Sequence, residues 1–295
     1  MNYLITGGTG FVGKKLIKKL HEEQHHTYIL TRSPESYEDT EKATYIGYDV
    51  NASELPAVDG VVNLAGESLF GYWTKQRKKN ILNSRIETTR KLLGIISQLK
   101  NKPNVLVSGS AVGYYGMSDE LIFTEKTHKS SEDFLGTVTN KWENTAKEAE
   151  HMGIRTVLTR FGVILGKGGG ALPLMGLPVK LFVGGEIGDG EQWVSWVHID
   201  DVVNLIIFCL ENEEVSGPVN VTAPEPKRNK DFMKTLAQVL HRPYWFTTPT
   251  FLIQTALGEM SQLITKGQYV WPAKAINANY QFIYPKLRET LKSLN

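Results

Sequence analysis

Cysteine is almost missing from this sequence of 295 residues, which contains only Cys209. A single cysteine excludes an intrachain disulfide framework and a cysteine-rich zinc site. Cys209 lies in the apolar run 202–210, which favours a buried small side chain over a nucleophile. Long apolar runs are missing too: none reaches the roughly 18 residues that a membrane-spanning helix needs, so no membrane partner is expected. Because the chain starts MNYLITGG, without the pattern of a secretion signal, we expect a cytoplasmic protein.

An excess of charge of one sign is also missing. The 33 Lys and Arg residues stand against 31 Asp and Glu residues, a formal net charge of +2, so we expect no nucleic-acid partner. Hydrophobic residues make up 41% of the chain and charged residues 22%. These fractions are typical of a globular protein and exclude a disordered or collagen-like one.

The first half of the chain alternates short apolar runs with longer helical patterns, which is typical of a parallel sheet covered by helices. The predicted strands are 2–6, 27–31, 44–48, 60–64, 104–108 and 155–160, and 218–221 is predicted to return as a further strand. The predicted helices are 11–23, 75–99, 135–151 and 198–210. No full helix is expected between residues 48 and 60, where the connection is short and contains Pro56.

The segment 166–196 is rich in glycine and proline and predicts loops that cross an opening. From residue 249 onward the pattern is mostly helical. We therefore predict an α/β fold: a Rossmann-type doubly wound parallel sheet with a smaller, mostly helical C-terminal substrate part. The dinucleotide-binding domain would span 1–165, with 196–222 returning to it. The substrate and lid part would comprise 166–195 and 223–295.

The most informative motif is the glycine-rich turn TGGTGFVG at residues 6–13, between the first predicted strand and the first helix. Gly7 allows the tight turn, Gly10 lets the backbone approach a pyrophosphate, and Gly13 lets the helix pack closely on the strand. The start of the helix adds free N–H groups and the positive end of the helix dipole. This context predicts a dinucleotide site rather than a plain turn.

The end of the second strand distinguishes NAD from NADP. An NAD site needs an acid there for the ribose 2′-hydroxyl, whereas an NADP site needs a cation for the 2′-phosphate. Arg32 stands where the acid would be, and its guanidinium offers paired donors to a phosphate. The hydroxyls of Thr31 and Ser33 can add to it. NADP (NADPH) is therefore the expected cofactor.

Together these residues resemble the extended short-chain dehydrogenase/reductase superfamily, which includes sugar-nucleotide epimerases and dehydratases. The match continues with DGVVNLAG at 59–66, VLVSGSAVGYYG at 105–116, RFGVILG at 160–166 and WVHIDDV at 196–202. The C-terminal residues 258–287 are similar to the tail of one atypical branch. Its members are usually named only "epimerase family protein" or NADP-dependent oxidoreductase, and some have been labelled cell-division inhibitors.

The resemblance implies a set of cofactor-binding residues and a small-molecule substrate, with a nucleotide sugar as one candidate. The implied contacts are Gly7, Gly10, Phe11, Val12 and Gly13 with the diphosphate, Thr31 and Arg32 with the adenosine phosphate, Asp49 with the adenine, Leu64, Ala65 and Gly66 with the middle of the cofactor, Arg85 facing the same side, and Val163 near the nicotinamide.

The pattern breaks at the catalytic pair. The superfamily uses Tyr-x-x-x-Lys on one helix face, where the ammonium lowers the tyrosine pKa and makes the phenol a useful acid or base. If Lys141 is that lysine, Thr137 stands in the tyrosine position, and an alkyl hydroxyl cannot transfer the proton in the same way. If Glu143 anchors the alignment instead, neither the tyrosine nor the lysine is present.

Three other residues are the catalytic candidates. Ser110 matches the superfamily serine, and Tyr114 or Tyr115 could supply a phenol from another direction. Asp200 or Asp201 is expected to cap the following helix. No metal site is expected, because no second histidine or glutamate lies at ligand spacing beside His198.

Two functions of different classes fit these observations. The first is an NADP(H)-dependent oxidoreductase or sugar-nucleotide-type epimerase that acts on a small polar substrate. The second is a catalytically silent NADP(H)-responsive binding or regulatory module. The missing tyrosine favours the module, whereas Ser110 and the glycine-rich segment over the nicotinamide favour the enzyme. The sequence does not indicate an oligomeric state.

Overall fold

Seven parallel strands form the central sheet in the computed structural model, which describes residues 1–295. The strands are β1 (Asn2–Thr6), β2 (His26–Leu30), β3 (Ala43–Ile46), β4 (Gly60–Asn63), β5 (Val105–Ala111), β7 (Arg155–Phe161) and β12 (Gly217–Val221). Their spatial order is β12-β7-β5-β4-β1-β2-β3. The order reverses between β1 and β4, which places the glycine-rich turn at the point where parallel sheets open to a ligand.

Helices cover both faces of this sheet. The helices are α1 (Phe11–Glu22), α2 (Lys75–Gln98), α3 (Phe134–Lys147), α4 (Leu172–Lys180), α5 (Ile199–Glu211), α6 (Asn229–Val239), α7 (Thr250–Leu257), α8 (Gln262–Thr265), α9 (Ala273–Asn277) and α10 (Leu287–Ser293). One apolar core joins the sheet to α1 and α5, and a second joins it to α2 and the end of α3. Strand residues alternate between these two cores because successive side chains point to opposite faces: Leu4 enters the second core and Ile5 the first.

Short strands tie the rest of the chain to the carboxyl ends of the sheet. They are β6 (Ser118–Phe123), β8 (Val163–Gly166), β9 (Gly169–Gly170), β10 (Trp193–Val194), β11 (Trp196–His198), β13 (Lys227–Arg228) and β14 (Gln268–Val270). Strand β14 pairs with β6, β8 lies between β11 and β9, and β10 pairs with β13. A third apolar core, which includes Trp196, Phe232 and Leu287, holds α4, α6 and α10 together.

The predicted α/β architecture is confirmed, with β1 inside the sheet and β12 returning to its edge beside β7. The connection between β3 and β4 contains only the short 3₁₀ turn Ala52–Glu54. The C-terminal region is helical, although its helices are short and β14 interrupts them. The division into domains 1–165 with 196–222, and 166–195 with 223–295, stays a prediction.

The sequence predicted loops throughout the glycine- and proline-rich segment, but the structure contains regular elements there. Helix α4 forms there despite its two prolines. Pro173 falls in the first turn, where its missing N–H would have had no partner in the helix, and Pro178 lies near the other end. The strands of this segment are only two to four residues long, too short to give a readable alternation. None of the helices has the length and apolar composition needed to cross a membrane.

Candidate active site

The turn between β1 and α1 leaves no room for side chains at its glycines. Gly7 has φ +70°, and a Cβ there would lie 2.6 Å from the carbonyl carbon of Leu64. A Cβ on Gly13 would lie 2.6 Å from the Cα of Gly8. Gly10 differs, because its Cβ would meet only the Gly7 oxygen at 3.2 Å. Glycine at positions 7 and 13 is therefore required by the fold, whereas glycine at position 10 keeps the outer side of the turn open.

Helix α1 starts directly at this turn and leaves its first N–H groups available. Gly10 is the N-cap residue, and no side chain accepts a hydrogen bond there. The Phe11 ring packs under the β8–β9 hairpin, so closely that a Cβ on Gly169 would collide with it. Val12 packs against the core beneath the sheet. The start of α1 is thus fixed in place and remains suited to an anion.

Arg32 follows β2 at the edge of the same opening. Its side chain is exposed. Thr31 donates its backbone N–H to the Ile46 oxygen, which fixes the backbone just before the arginine. Burial raises the pKa of Tyr48, and the positive charge of the nearby Arg32 opposes that rise. Asp49 is exposed in the turn after β3. The cation and the carboxylate predicted to meet the adenosine therefore both reach solvent at this edge.

The loop after β4 forms the middle of the site. Gly66 approaches the Arg85 side chain of α2 so closely that a Cβ on Gly66 would lie 3.1 Å from the guanidinium carbon. Arg85 donates through Nη1 to the oxygens of Glu67 and Ile81 and lies over the Trp142 ring. Burial lowers the pKa of Arg85 to about 10. Arg85 stays charged at neutral pH and holds its charge beside the predicted cofactor-binding backbone.

A buried polar network behind this loop was missed by the sequence analysis. Thr6 Oγ1 donates to Asn63 Oδ1 at 2.7 Å, and the Asn63 amide donates to Thr89 at 2.8 Å and Ser108 at 3.1 Å. The backbone N–H of Ala65 reaches Thr6 Oγ1 at 3.3 Å. The network joins β1, β4, β5 and α2, and through the Ala65 N–H it holds the start of the loop after β4. The one available signal was Asn63 inside an otherwise apolar strand.

The burial of side chains along helix α3 shows which of its positions face the sheet. Leu135, Thr139 and Glu143, spaced four residues apart, are all buried. Thr137 is only half-buried and Lys141 is exposed, so both belong to another face of the helix. The positions that face the sheet therefore carry neither a phenol nor an ammonium, and Lys141 is not aimed at the site.

Ser110 is hydrogen-bonded to a buried ion pair, that of Glu143 with Arg160. Its hydroxyl donates to Glu143 Oε1 at 2.6 Å. The same carboxylate accepts hydrogen bonds from Arg160 Nε at 2.7 Å and Nη2 at 2.8 Å. Burial by itself lowers the pKa of Arg160, but the hydrogen bonds and charge of Glu143 outweigh it and raise the pKa above its usual range. Glu143 and Arg160 are a second feature that the sequence analysis did not identify.

Both candidate tyrosines are buried and have hydrogen-bond partners. Tyr114 donates its hydroxyl to the His128 oxygen at 2.7 Å. Tyr115 donates to Asn220 Oδ1 at 2.7 Å and accepts from Arg160 at 2.9 Å. Burial raises the pKa of Tyr115 to about 12, and the nearby Arg160 opposes that rise. The catalytic roles of Ser110, Tyr114 and Tyr115 stay predictions, although each hydroxyl already has an internal acceptor.

The expected helix cap is wrong. His198, not Asp200 or Asp201, is the N-cap of α5, and its Nδ1 accepts the Asp200 N–H at 3.0 Å. Asp201 instead accepts the backbone N–H groups of Ile283 and Tyr284 and ties the C-terminal region to the sheet. An aspartate in the first turn often caps its own helix, but here a neighbouring segment supplies the donors. Asp200 pairs with Lys15 at 3.0 Å.

The structure brings the predicted cofactor residues to one edge. The glycine-rich turn, the loop after β4 and Arg85 surround the opening between β1 and β4, and Arg32 lies at the end of the neighbouring β2. Val163 begins β8, which continues the chain after β7 and pairs with β11. The arrangement offers a helix N-terminus and a guanidinium for phosphates, with backbone groups along the path between them.

The chain matches two family models. The model described as "NAD dependent epimerase/dehydratase family" matches residues 3–222, and a "Domain of unknown function (DUF1731)" matches residues 248–294. Among curated proteins, "Epimerase family protein YfhF" of Bacillus subtilis (strain 168) is 47% identical over 298 residues, covering 100% of this chain and 98% of that protein. "Epimerase family protein SH2119" of Staphylococcus haemolyticus is 44% identical, covering 99% of this chain and 98% of that protein.

Solved structures agree with this result. The crystal structure of "human epimerase family protein SDR39U1 (isoform2) with NADPH" has a TM-score of 0.90 and 32% identity, covering 100% of this chain and 99% of that one. The UDP-glucuronic acid 4-epimerase of Bacillus cereus, in complex with UDP-glucuronic acid and NAD, has a TM-score of 0.80 and 17% identity, covering 100% of this chain and 98% of that one. The second likeness concerns the fold alone.

Proposed function

The chain belongs to the NAD dependent epimerase/dehydratase family, and from this premise we propose that it is an oxidoreductase that uses NADP(H). The single observation that carries the proposal is the glycine-rich turn followed, at the end of β2, by Arg32. The NADPH of the human relative's structure supports this choice of cofactor. The substrate is a small molecule that enters between the nucleotide-binding sheet and the segments around α4 and α7.

The residues present fit a dinucleotide phosphate. Side chains at Gly7 and Gly13 would collide with backbone, whereas a Cβ on Gly10 would meet only the Gly7 oxygen, at 3.2 Å. The uncapped start of α1 would bind the diphosphate, and Arg32 with Thr31 would bind the 2′-phosphate. Arg85 would lie beside the middle of the cofactor. The bound dinucleotide would supply hydride chemistry, while these residues bind and orient it.

The surrounding charge favours an anionic ligand. A groove of about 640 Å³ lies beside the turn and is lined by Lys14, Lys18 and Lys42 and by one carboxylate, that of Glu22, which pairs with Lys18. The lysines outnumber the carboxylate, so the local potential is positive and would draw a phosphate ligand towards the turn. They do not distinguish NADP from NAD, a choice that we assign to Arg32.

A substitution at Gly10 tests this site, because its backbone suits any residue. With φ −80° and ψ 179°, Gly10→Ala requires only a small shift of the Gly7 oxygen, 3.2 Å from the new Cβ, so the protein should fold while the methyl group blocks the approach of the diphosphate. We expect the Kd for NADPH, measured by fluorescence titration, to rise at least about tenfold. Gly94→Ala is the matched control, since a Cβ on Gly94 meets nothing within 4 Å. An unchanged Kd in a folded Gly10→Ala protein would refute the placement.

The absence of a phenol–ammonium pair on α3 favours a second candidate, an NADP(H)-responsive binding module without hydride chemistry. Both functions predict cofactor binding, so binding does not separate them. Turnover separates them. If none of a broad panel of carbonyl, quinone and sugar-nucleotide compounds consumes NADPH in the presence of protein that binds it, the binding module becomes the better account.

A further inference from the structure

A group of large apolar side chains is exposed where two loops of the site meet the C-terminal region. We call this group the aromatic rim; it consists of Phe70, Tyr72, Phe182, Trp245, Phe246 and Phe251. Trp245 is the most exposed of them, at 74%. Exposed aromatic side chains in such number are unusual on a monomer surface and mark a place where a ligand or partner binds.

The rim is continuous with the predicted cofactor-binding backbone. Phe70 and Tyr72 lie on the loop that runs on from Leu64–Gly66, and Tyr72 packs against Gly258. Phe182 follows α4, which begins shortly after β8 and β9. Trp245 Nε1 donates to the Phe182 oxygen at 3.0 Å. The loop that leaves β4 and the end of α4 therefore both carry aromatic side chains, and each of them contacts the C-terminal region.

Several cations near this opening are already paired, and Arg242, which has no carboxylate partner, lies over the Phe182 ring at 4.7 Å from its centroid. Arg77 binds Glu67, and Lys78 binds Glu259. Lys230 and Arg228 both pair with the carboxylate of Glu191. A sugar nucleotide carries a diphosphate that needs unpaired cations or N–H groups. The paired charges, the Arg242 guanidinium stacked on Phe182 and the aromatic rim together favour a flat, largely apolar substrate instead.

Proton transfer limits the substrate further. The hydroxyls of Ser110, Tyr114 and Tyr115 all donate to internal acceptors, and α3 presents no phenol beside an ammonium. Hydride addition to an ordinary ketone gives an alkoxide, about as basic as hydroxide, since the pKa of water is about 15.7. Hydride addition to a quinone gives a phenolate, whose acid has a pKa near that of tyrosine, about 10. Only the second product is stable enough to wait for a proton from water.

From these observations, and resting on the proposed use of NADP(H), we propose that the substrate is a quinone bound between the aromatic rim and the nicotinamide. The reaction transfers one hydride, that is two electrons and one hydrogen nucleus, from NADPH to the quinone. Water or buffer supplies the second proton. NADPH, a quinone and H⁺ thus give NADP⁺ and a hydroquinone, with no catalytic acid from the protein.

The first test is binding without turnover, with 2-methyl-1,4-naphthoquinone as the probe. Titration of the full chain should quench tryptophan fluorescence saturably, and Phe182→Ala or Trp245→Ala should raise the Kd about 2- to 10-fold, the range expected for one lost aromatic contact. Ile283→Ala is the matched control, because Ile283 is exposed but lies beside Asp201, outside the rim. Absence of saturable quenching, or equal effects of all three variants, would overturn the proposal.

The second test is the reaction itself. NADPH deuterated on one face of C4 should slow quinone reduction, and NADPH deuterated on the other face should not. The rate should show no solvent deuterium effect, because no proton moves with the hydride. Reduction that is slowed by neither isotopomer would indicate unspecific electron transfer and overturn the proposal. NADPH binding without any quinone reduction would also overturn it while leaving the cofactor assignment intact, whereas failure to bind NADPH would remove both.

Discussion

The buried pair of Glu143 and Arg160 gives the sharpest stability prediction. The two side chains are 2% and 4% exposed. The Glu143 carboxylate accepts two of the three hydrogen bonds that the guanidinium donates, and a further one from Ser110. Glu143→Ala would leave the Arg160 charge without its counterion among buried groups, with Tyr115 as its one remaining acceptor. Breaking a buried pair on one side typically costs about 3–5 kcal/mol.

For a chain of this size, we expect Glu143→Ala to lower Tm by roughly 5–8 °C. Urea unfolding, followed by tryptophan fluorescence, should show the loss as a lower midpoint at an unchanged slope. The matched control is Glu143→Leu combined with Arg160→Met, which removes both charges. This double variant should recover most of the loss, because apolar replacements of a buried pair are often neutral or stabilising. A loss below about 1 kcal/mol for Glu143→Ala, or no recovery in the double variant, would refute the reasoning.

Two further predictions concern protons. Burial lowers the pKa of His198 to about 4 from its ordinary 6.5. The neutral cap should therefore contribute its full stability above pH 6.5 and lose it as the pH falls towards 4. Because asparagine can still cap α5, His198→Asn should show a weaker pH dependence of the urea midpoint between pH 7 and 5. Tyr114→Phe and Tyr115→Phe, measured separately, should change turnover of any NADPH-consuming substrate less than about threefold. A drop of about 10²–10⁴-fold, typical of a lost general acid, would instead identify that tyrosine as catalytic.

The architecture could be predicted from the sequence because its signals are local. Strand β4 is fully buried and β1 is buried in all but its first residue, so both appear in the sequence as short apolar runs that predict strands. Strand β6 gave no such signal: most of its residues are exposed, and its only partner, β14, lies far along the chain. Its pairing depends on tertiary contacts that no short window contains.

The predicted cofactor end of the site depends on signals of the same local kind, since the turn and Arg32 each act within a few residues of backbone. The catalytic end was not. Whether Ser110 is free depends on Glu143 and Arg160, which come from a different helix and strand. The aromatic rim likewise combines segments that are distant in sequence. Hydrogen bonds between distant residues thus decide the chemistry that a motif can perform.

The measurement that tests the central claim most directly is the thermal shift produced by NADPH and by NADH at equal concentration. NADPH should raise Tm more, following ligand linkage. In Arg32→Ala this advantage should fall by the equivalent of about 10- to 150-fold in affinity, the worth of hydrogen bonds to a charged group. In Lys18→Ala, which removes an exposed charge from the nearby groove, the advantage should persist. Equal shifts with the two cofactors in the unmodified protein, or a larger shift with NADH, would contradict the account.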